Sequence, residues 1–379
     1  MSLLNTADGS AVLSYGPLTI KNHKARQLKD RIDRAWMASF TRLSQTAMYA
    51  SAVDESPEMR CGGCGSKIGG DVLSSVLNRL DVPKDPRVLF GCREGEDAAV
   101  FRADPRLHGS DPDKLVEIQT VDYFKSFVDD PYLFGRIAAI HAISDLYAMN
   151  ARPFTALAIA TLPFARGPIQ ETQLFELLSG AVRSLRERGV TLTGGHTTEG
   201  NVLALGFAVT GFGEEGKLFL KSELKHGDRL ILTKPLGSGA LLAAWMRGGC
   251  EASWFEELTS LMLKDNAEAA AVFRAAGVSA CTDVTGFGLA GHLLEMLDGS
   301  RASARLFARQ IPLMRGFEQV VASGIVSTLH DDNAKCAGRI RGAIALPASL
   351  FDPQTSGGLL AGVRPEVVEE TLRSLKQAG

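Results

Sequence analysis

Four acidic residues stand among small neighbours, each where a strand meets a loop or inside a helix. They are Asp97 in Gly95-Glu96-Asp97-Ala98-Ala99, Asp122 after Thr120-Val121, Asp145 after Ser144, and Asp283 in Thr282-Asp283-Val284-Thr285-Gly286. Singly, each reads as an ordinary cap or turn residue, because a carboxylate accepts hydrogen bonds from free backbone N–H groups at such places. Together they ask for a cation. Two carboxylates about 4 Å apart repel by roughly 4 kcal/mol at an effective dielectric of 20. A divalent ion removes that cost, and a set of oxygen donors points to Mg²⁺, shared with the phosphates of a substrate.

Glycine-rich stretches supply a second kind of chemistry. Gly62-Gly63-Cys64-Gly65-Ser66-Lys67 is a flexible loop ending in a lysine, similar to a phosphate cradle but without Walker A spacing. Gly194-Gly195-His196-Thr197 can present backbone N–H groups to an anion in the same way. Cys61 and Cys64 form a CxxC pair with three readings. A zinc site would need a second ligand pair, a thioredoxin-like pair would follow a strand, and a nucleophilic thiol would need help to ionise. A free thiol has a pKa of about 8.5, and Lys67 would lower it by stabilising the thiolate. Cys92, Cys250, Cys281 and Cys336 read as packing residues, and the seven histidines show no HxxxH or HxH spacing.

The elements that must position these residues alternate in type from Arg60 onward. Leu115 to Val121, Ala156 to Leu162, Leu203 to Thr210, Arg229 to Thr233 and Ala280 to Thr282 read as strands, and Val190 to Leu192 runs into the Gly-Gly-His stretch. Pro131 to Met149, Ile169 to Arg188, Phe255 to Ala276 and Leu289 to Leu297 read as helices, as does the alanine-rich stretch after Gly239. Long helices and strands in this order predict two α+β or α/β domains side by side, with a boundary near Gly213 to Gly216. The chain has 379 residues, 45% hydrophobic and 22% charged, ordinary for a globular protein of two or three domains. Its net charge of −2 predicts no whole-protein attraction to nucleic acid or an anionic membrane. No apolar run is long enough for a membrane span and no secretory signal is visible, so a cytoplasmic enzyme is expected.

At this point the chain, from about Arg60 to its end, resembles the selenophosphate synthetase (selenide, water dikinase) family. The likeness lies in CGSK at Cys64 to Lys67, EDAAV at Glu96 to Val100, DDPYLFGRIAA at Asp129 to Ala139, AISDLYAM at Ala142 to Met149, TDVTGFGLAGH at Thr282 to His292 and DPQTSGGLL at Asp352 to Leu360. A related fold serves aminoimidazole ribonucleotide synthetase, thiamine-phosphate kinase and a hydrogenase maturation factor. The resemblance implies a two-domain aminoimidazole-ribonucleotide-synthetase-like fold, α+β and α/β-like, each domain a mixed sheet covered by helices. Residues 60–214 would form the ATP- and Mg²⁺-binding domain and 215–379 the C-terminal domain. It implies synthesis of selenophosphate, AMP and orthophosphate from ATP, selenide and water.

Position by position, Cys64 matches the catalytic cysteine or selenocysteine and Lys67 the lysine of a mobile loop. Asp97, Asp145 and Asp283 match metal-binding aspartates, with Mg²⁺ and also K⁺ as implied cations. Lys67, Gly95, Asp97, Thr120, Asp122 and Asp145 match the nucleotide site. Gly194, Gly195, His196 and Thr197 match a stretch that reaches ATP from the partner subunit of a homodimer. Three positions depart from the family pattern. Ser66 replaces a second cysteine, Val121 stands where a threonine is common, and His141 stands where an asparagine precedes the metal aspartate. Family members usually continue by another strand or so, which makes a truncated C-terminal domain the expectation.

Residues 1–59 do not share this likeness. SYGPLTI and LKDRIDRAWMASF, within an amphipathic pattern from Arg26 to Phe40, resemble the tail of an FAD-dependent pyridine-nucleotide oxidoreductase followed by a linker. Without a GxGxxG fingerprint, no flavin or NAD binding is expected there. Two further readings stay open: another ATP-dependent small-molecule kinase or synthetase on this fold, and a thiol- or metal-binding regulatory module using Cys61 and Cys64.

Overall fold

The computed structural model describes residues 2–5, 11–15, 18–22, 24–34, 88–90, 99–102, 114–342 and 345–378. The chain divides into two compact units, Met1–Met59 and Arg60–Gly379. In the first, β1 (Ser2–Asn5), β2 (Ala11–Tyr15) and β3 (Leu18–Asn22) form an antiparallel meander. A helix, α1, follows over residues 24–34, with Asn22 Oδ1 accepting the Ala25 N–H at 2.8 Å, the work of a cap side chain.

The second unit is built on a six-stranded sheet of β4 (Val88–Phe90), β5 (Ala99–Arg102), β6 (Leu115–Lys125), β7 (Arg152–Pro163), β8 (Thr191–Gly200) and β9 (Ala204–Glu214). Their order is β4-β5-β6-β9-β7-β8. Among the pairs of this sheet only β7–β8 is parallel, and its crossover is the long helix Gly167–Glu187. Along β6, Val116, Ile118, Asp122 and Phe124 are buried, while Gln119, Val121, Tyr123 and Lys125 are exposed. That is the period of two expected of a sheet covered on one side. The strand therefore turns Thr120 and Asp122 inward.

Helices α2 (Pro131–Ala142) and α4 (Gly167–Glu187) form the cover. They lie against each other, and α2 rests on β6 and β9. Asp130 caps α2 by accepting the Leu133 N–H, with Pro131 in the first turn. The two helices touch backbone to backbone. A Cβ at Gly135 would sit 1.9 Å from Leu177 O, and one at Gly180 would sit 2.0 Å from Tyr132 O.

The helix expected over Pro131 to Met149 is in fact two, because α2 stops at Ala142 and α3 begins at Ser144 and ends at Ala148. Ile143 forms the joint, its N–H returned to Ala139 O and His141 O. The same correction applies to Phe255 to Ala276, which divides into α6 (Ala252–Met262) and α7 (Ala267–Ala275). In both places apolar periodicity runs through the break, and tertiary contacts decide the ends. Helix α5 (Ser238–Met246) precedes this pair.

The C-terminal sheet consists of β10 (Arg229–Leu232), β11 (Ala280–Asp283) and β12 (Leu359–Val363), with β12 in the middle. Its pairings are antiparallel, so the mixed character of the fold resides in the six-stranded sheet. Helices α8 (Gly288–Ser300), α9 (Phe317–Ala322), α10 (His330–Ala334) and α11 (Val368–Ala378) surround it. One apolar cluster runs from Phe124, Phe134 and Ile137 through Leu146 to Phe273, Leu359 and Val363, so both sheets share a core.

The glycine contacts give a stability prediction. Gly135→Ala or Gly180→Ala forces α2 and α4 apart and is expected to destabilise the protein by roughly 1–3 kcal/mol. Urea denaturation reads this directly; midpoints equal to wild type would mean the helix pair has slack.

Candidate active site at the seam of the two sheets

The described aspartates lie on three elements that pack on one another. Helix α3, which carries Asp145, packs against β6, which carries Thr120 and Asp122, and against β11, which ends at Asp283. Thr120 Oγ1 donates to Asp145 Oδ2 at 2.5 Å, fixing one rotamer of the carboxylate. Asp283 is 2% exposed and Asp122 8%. Buried carboxylates are costly unless hydrogen-bonded or matched by positive charge.

The main chain of Asp352–Gly358 closes the site from the other side. Asp352 Oδ2 accepts from Gly239 N at 3.1 Å and from Gln354 Nε2 at 2.9 Å. Gln354 Oε1 accepts from Gly237 N, Ser238 N and Ser238 Oγ. Ser356 holds a left-handed backbone, φ 52°, a conformation uncommon outside glycine and asparagine. Its polar groups are engaged: N–H to His141 Nδ1 at 2.8 Å, Oγ to Met262 O at 2.7 Å, and carbonyl from Lys234 Nζ at 2.9 Å. Asn266 Nδ2 then joins the two domains, donating to Ser144 Oγ at 2.9 Å and to Gly357 O at 3.0 Å.

Two buried ionisable groups in this seam are shifted. Burial pushes the Lys234 ammonium down to about 7, with Asp265 pulling it back, Lys264 adding to the fall and Asp283 opposing it. Lys234 Nζ also donates to the Lys264 carbonyl. Burial pushes the Asp352 carboxyl up to about 7, against hydrogen bonds from Gln354, Gly239 and Ala240 that favour its ionised form. Among the described residues, Asp352 Oδ1 is buried without a hydrogen-bond partner.

The donors at the seam are hard oxygens, and carboxylates on packed elements in a buried place suit Mg²⁺. Among the described residues no three His, Cys, Asp or Glu side chains converge on one point, so a complete set would draw on Asp97 or on substrate oxygens. Asp97, Gly95, Lys67, Cys64, Cys61 and Ser66 lie outside the described residues.

Gly194, Gly195, His196 and Thr197 fall inside β8, exposed. Gly195 has φ 154°, and a Cβ there would lie 2.0 Å from Ala158 O. His196 pairs with Ile159, Ile159 with Gly206 and Gly206 with Tyr123. His196 therefore shares the open face of the sheet with Tyr123, and Asp122 belongs to the opposite face. Within one chain the two groups do not meet. Val121 also faces outward, 62% exposed, so its departure from threonine lies away from Asp122.

The residue reading gave no role to Lys234, Asn266, Gln354 or Ser356. The sequence signal at Lys234 is a lysine at the end of an apolar strand before Pro235-Leu236-Gly237. For Ser356 the recognised groups are largely main-chain, which side-chain identity does not encode.

Comparison with known proteins places this geometry. The N-terminal domain of AIR synthase related proteins matches residues 95–214, and the C-terminal domain of that family matches residues 225–379. A thiamine-monophosphate kinase from Stenotrophomonas maltophilia K279a shares the fold with a TM-score of 0.56 at 20% identity, over 81% of this chain and 88% of that one. A HypE–HypF complex chain does so with a TM-score of 0.55 at 15% identity, over 82% and 89%. The class is thus a two-domain AIR synthase-like protein.

Within that class, a selenide, water dikinase from Clostridioides difficile (strain 630) is 36% identical over 328 residues, 84% of this chain and 90% of the relative. One from Pelobacter propionicus (strain DSM 2379 / NBRC 103807 / OttBd1) is 38% identical over 322 residues, again 84% and 90%. The chain belongs to the selenide, water dikinase family.

Asp352 gives the seam a pH signature. Its folded pKa lies above the unfolded value of about 3.9, so the folded state holds this proton more tightly. The associated stability is present below about pH 4 and lost as pH rises through about 7. Asp352→Asn removes the titration. The variant is expected to gain on wild type between pH 4 and 8, by roughly 4 kcal/mol on the linkage relation. Parallel stability–pH curves from chemical denaturation would contradict the assignment.

Proposed function

We propose that this chain makes selenophosphate, AMP and orthophosphate from ATP, selenide and water, with the nucleotide's phosphates at the seam between the two sheets. The observation that carries the reading is the packing of the Asp145 helix against both the Asp122 strand and the Asp283 strand, in a member of the selenide, water dikinase family. Asp145 and Asp283, with Asp97, are the residues proposed to hold Mg²⁺. When bound, the ion neutralises triphosphate charge and polarises the phosphoryl oxygens. K⁺ is a further cation that the family likeness implies.

The protein's own groups do the positioning. Thr120 holds Asp145 in one orientation, and Asp122 faces the nucleotide from the same side of β6. The family likeness assigns Lys67 to the phosphates and Cys64 to the place where selenide takes the γ-phosphoryl group. Water accounts for the orthophosphate released with AMP.

A homodimer sharing the site is supported by the open face of the larger sheet. Val121 is 62% exposed, Leu157 47%, Tyr123 43% and Phe154 54%, and Phe154 packs on Phe212 with ring centroids 5.4 Å apart. This contiguous apolar surface on a sheet face suits a second copy. It also gives β8, whose His196 faces away from Asp122 of its own chain, a route to the nucleotide of a partner.

Two outcomes are expected. Asp145→Asn and Asp283→Asn, and Lys67→Ala, should lower selenide-dependent AMP formation by roughly 100-fold or more. Wild-type rates in Asp283→Asn or Lys67→Ala would overturn the site, and phosphorus NMR showing ADP with another phosphorylated product would replace the reaction by a different small-molecule kinase. Val121→Asp should shift the protein to monomer in analytical ultracentrifugation and reduce activity in parallel; an unchanged sedimentation coefficient would remove this face from the interface.

A further inference from the structure

We infer that His141 is a positioning residue that holds the nucleotide-facing carboxylate of Asp122 and ties it to the C-terminal domain through the backbone of Ser356. The inference rests on the reading above that Asp122 faces the nucleotide. His141 is 1% exposed, with Phe124 packed against its ring at a centroid distance of 5.1 Å and an interplanar angle of 73°. The ring plane is thus set by packing.

Its protonation state is set by a neighbour. Ser356 N lies 2.8 Å from Nδ1 and is a donor, so Nδ1 must be the acceptor nitrogen. Ser356 cannot easily yield, because its hydroxyl and carbonyl are held by Met262 and Lys234. A neutral imidazole with a lone pair on Nδ1 carries its proton on Nε2. Nε2 lies 3.4 Å from Asp122 Oδ2, longer than the about 2.7–3.2 Å usual for an N–H···O bond and close enough for its N–H dipole to act on the carboxylate. The C-terminal domain thereby selects the tautomer that presents a donor to a carboxylate of the N-terminal domain. Asparagine, common at this position in the family, is too short to serve both partners from the same backbone position. The double contact is therefore specific to histidine here.

The alternative is a core histidine satisfied by Ser356 alone, to which Asp122 is indifferent. Two amide substitutions separate the ring's functions, since an asparagine amide occupies the place of Nδ1 and a glutamine amide that of Nε2. The probe is Mg²⁺-ATP binding by calorimetry on the full chain, with KM for ATP, kcat and Tm measured alongside. H141N should keep an acceptor for Ser356 and lose the donor to Asp122. The expected result is a roughly tenfold rise in Kd and in KM for ATP, with kcat changed far less and Tm near wild type. H141Q should keep ATP affinity close to wild type and lower Tm by several degrees, because the buried Ser356 N–H loses its acceptor.

D122N serves as the control on the underlying reading. If D122N leaves ATP affinity unchanged, Asp122 does not face the nucleotide and that reading fails. If D122N weakens ATP binding while H141N does not, or if H141N and H141Q weaken it equally, the role given to His141 is overturned. Should the asparagine variant fail to fold, H141Q against H141A tests the same contact. Glutamine must then bind ATP about tenfold more tightly than alanine, and equal affinities overturn the proposal.

Discussion

Charge held away from water governs how this molecule is put together. Asp122, Asp283, Asp352 and Lys234 are all buried around one seam, and an isolated ion in such a place would cost several kcal/mol or more. Neutral groups share in the compensation: N–H groups on Asp352, carbonyls on Lys234 and, beside them, a threonine hydroxyl on Asp145. Dipoles fixed by the backbone stay in place when a charged ligand arrives, so the site needs little reorganisation to receive one. The same arrangement leaves Lys234 and Asp352 both near neutrality in their titration, a balance that an arriving cation or phosphate would tip.

A short stretch of chain adds a polar tie between the two domains, beside the apolar core that their sheets share. Residues 352–358 contact α2 through His141, α5 through Gly239 and Ser238, and the α6–α7 junction through Met262 and Asn266. The breaks at Ile143 and after Met262 make these contacts possible. A continuous helix over residues 131–149 would carry Ser144 and Asp145 on along the axis of α2, instead of turning α3 across β6 and onto β11.

Much of this was legible in the residues, and the failures have physical causes. Apolar alternation over Leu115 to Val121 marked a strand, which runs on to Lys125 and takes Asp122 inside it, and the aspartates were visible because charge beside small residues is unusual inside a packed domain. Apolar periodicity could not reveal where α2 and α6 end, since the pattern continues through Ile143 and Leu263 and only the partners across the seam break it. Nor could it show that Gly194 and Gly195 lie in an extended strand, because glycine permits turn and strand alike. His141 was conspicuous only as a departure from a family pattern, and its link to Ser356 lies in a backbone N–H that every residue except proline possesses.

The bond between His141 and Ser356 joins positions 215 residues apart, and that span bears on how the protein comes into being. Loop closure over such a distance comes late in folding, after local helices and hairpins have formed. On the ribosome, the N-terminal domain emerges and can collapse well before residue 356 leaves the exit tunnel. During that interval its buried histidine and aspartate have no C-terminal partner, and nascent chains depend on the larger sheet and its helices alone for protection against misassembly.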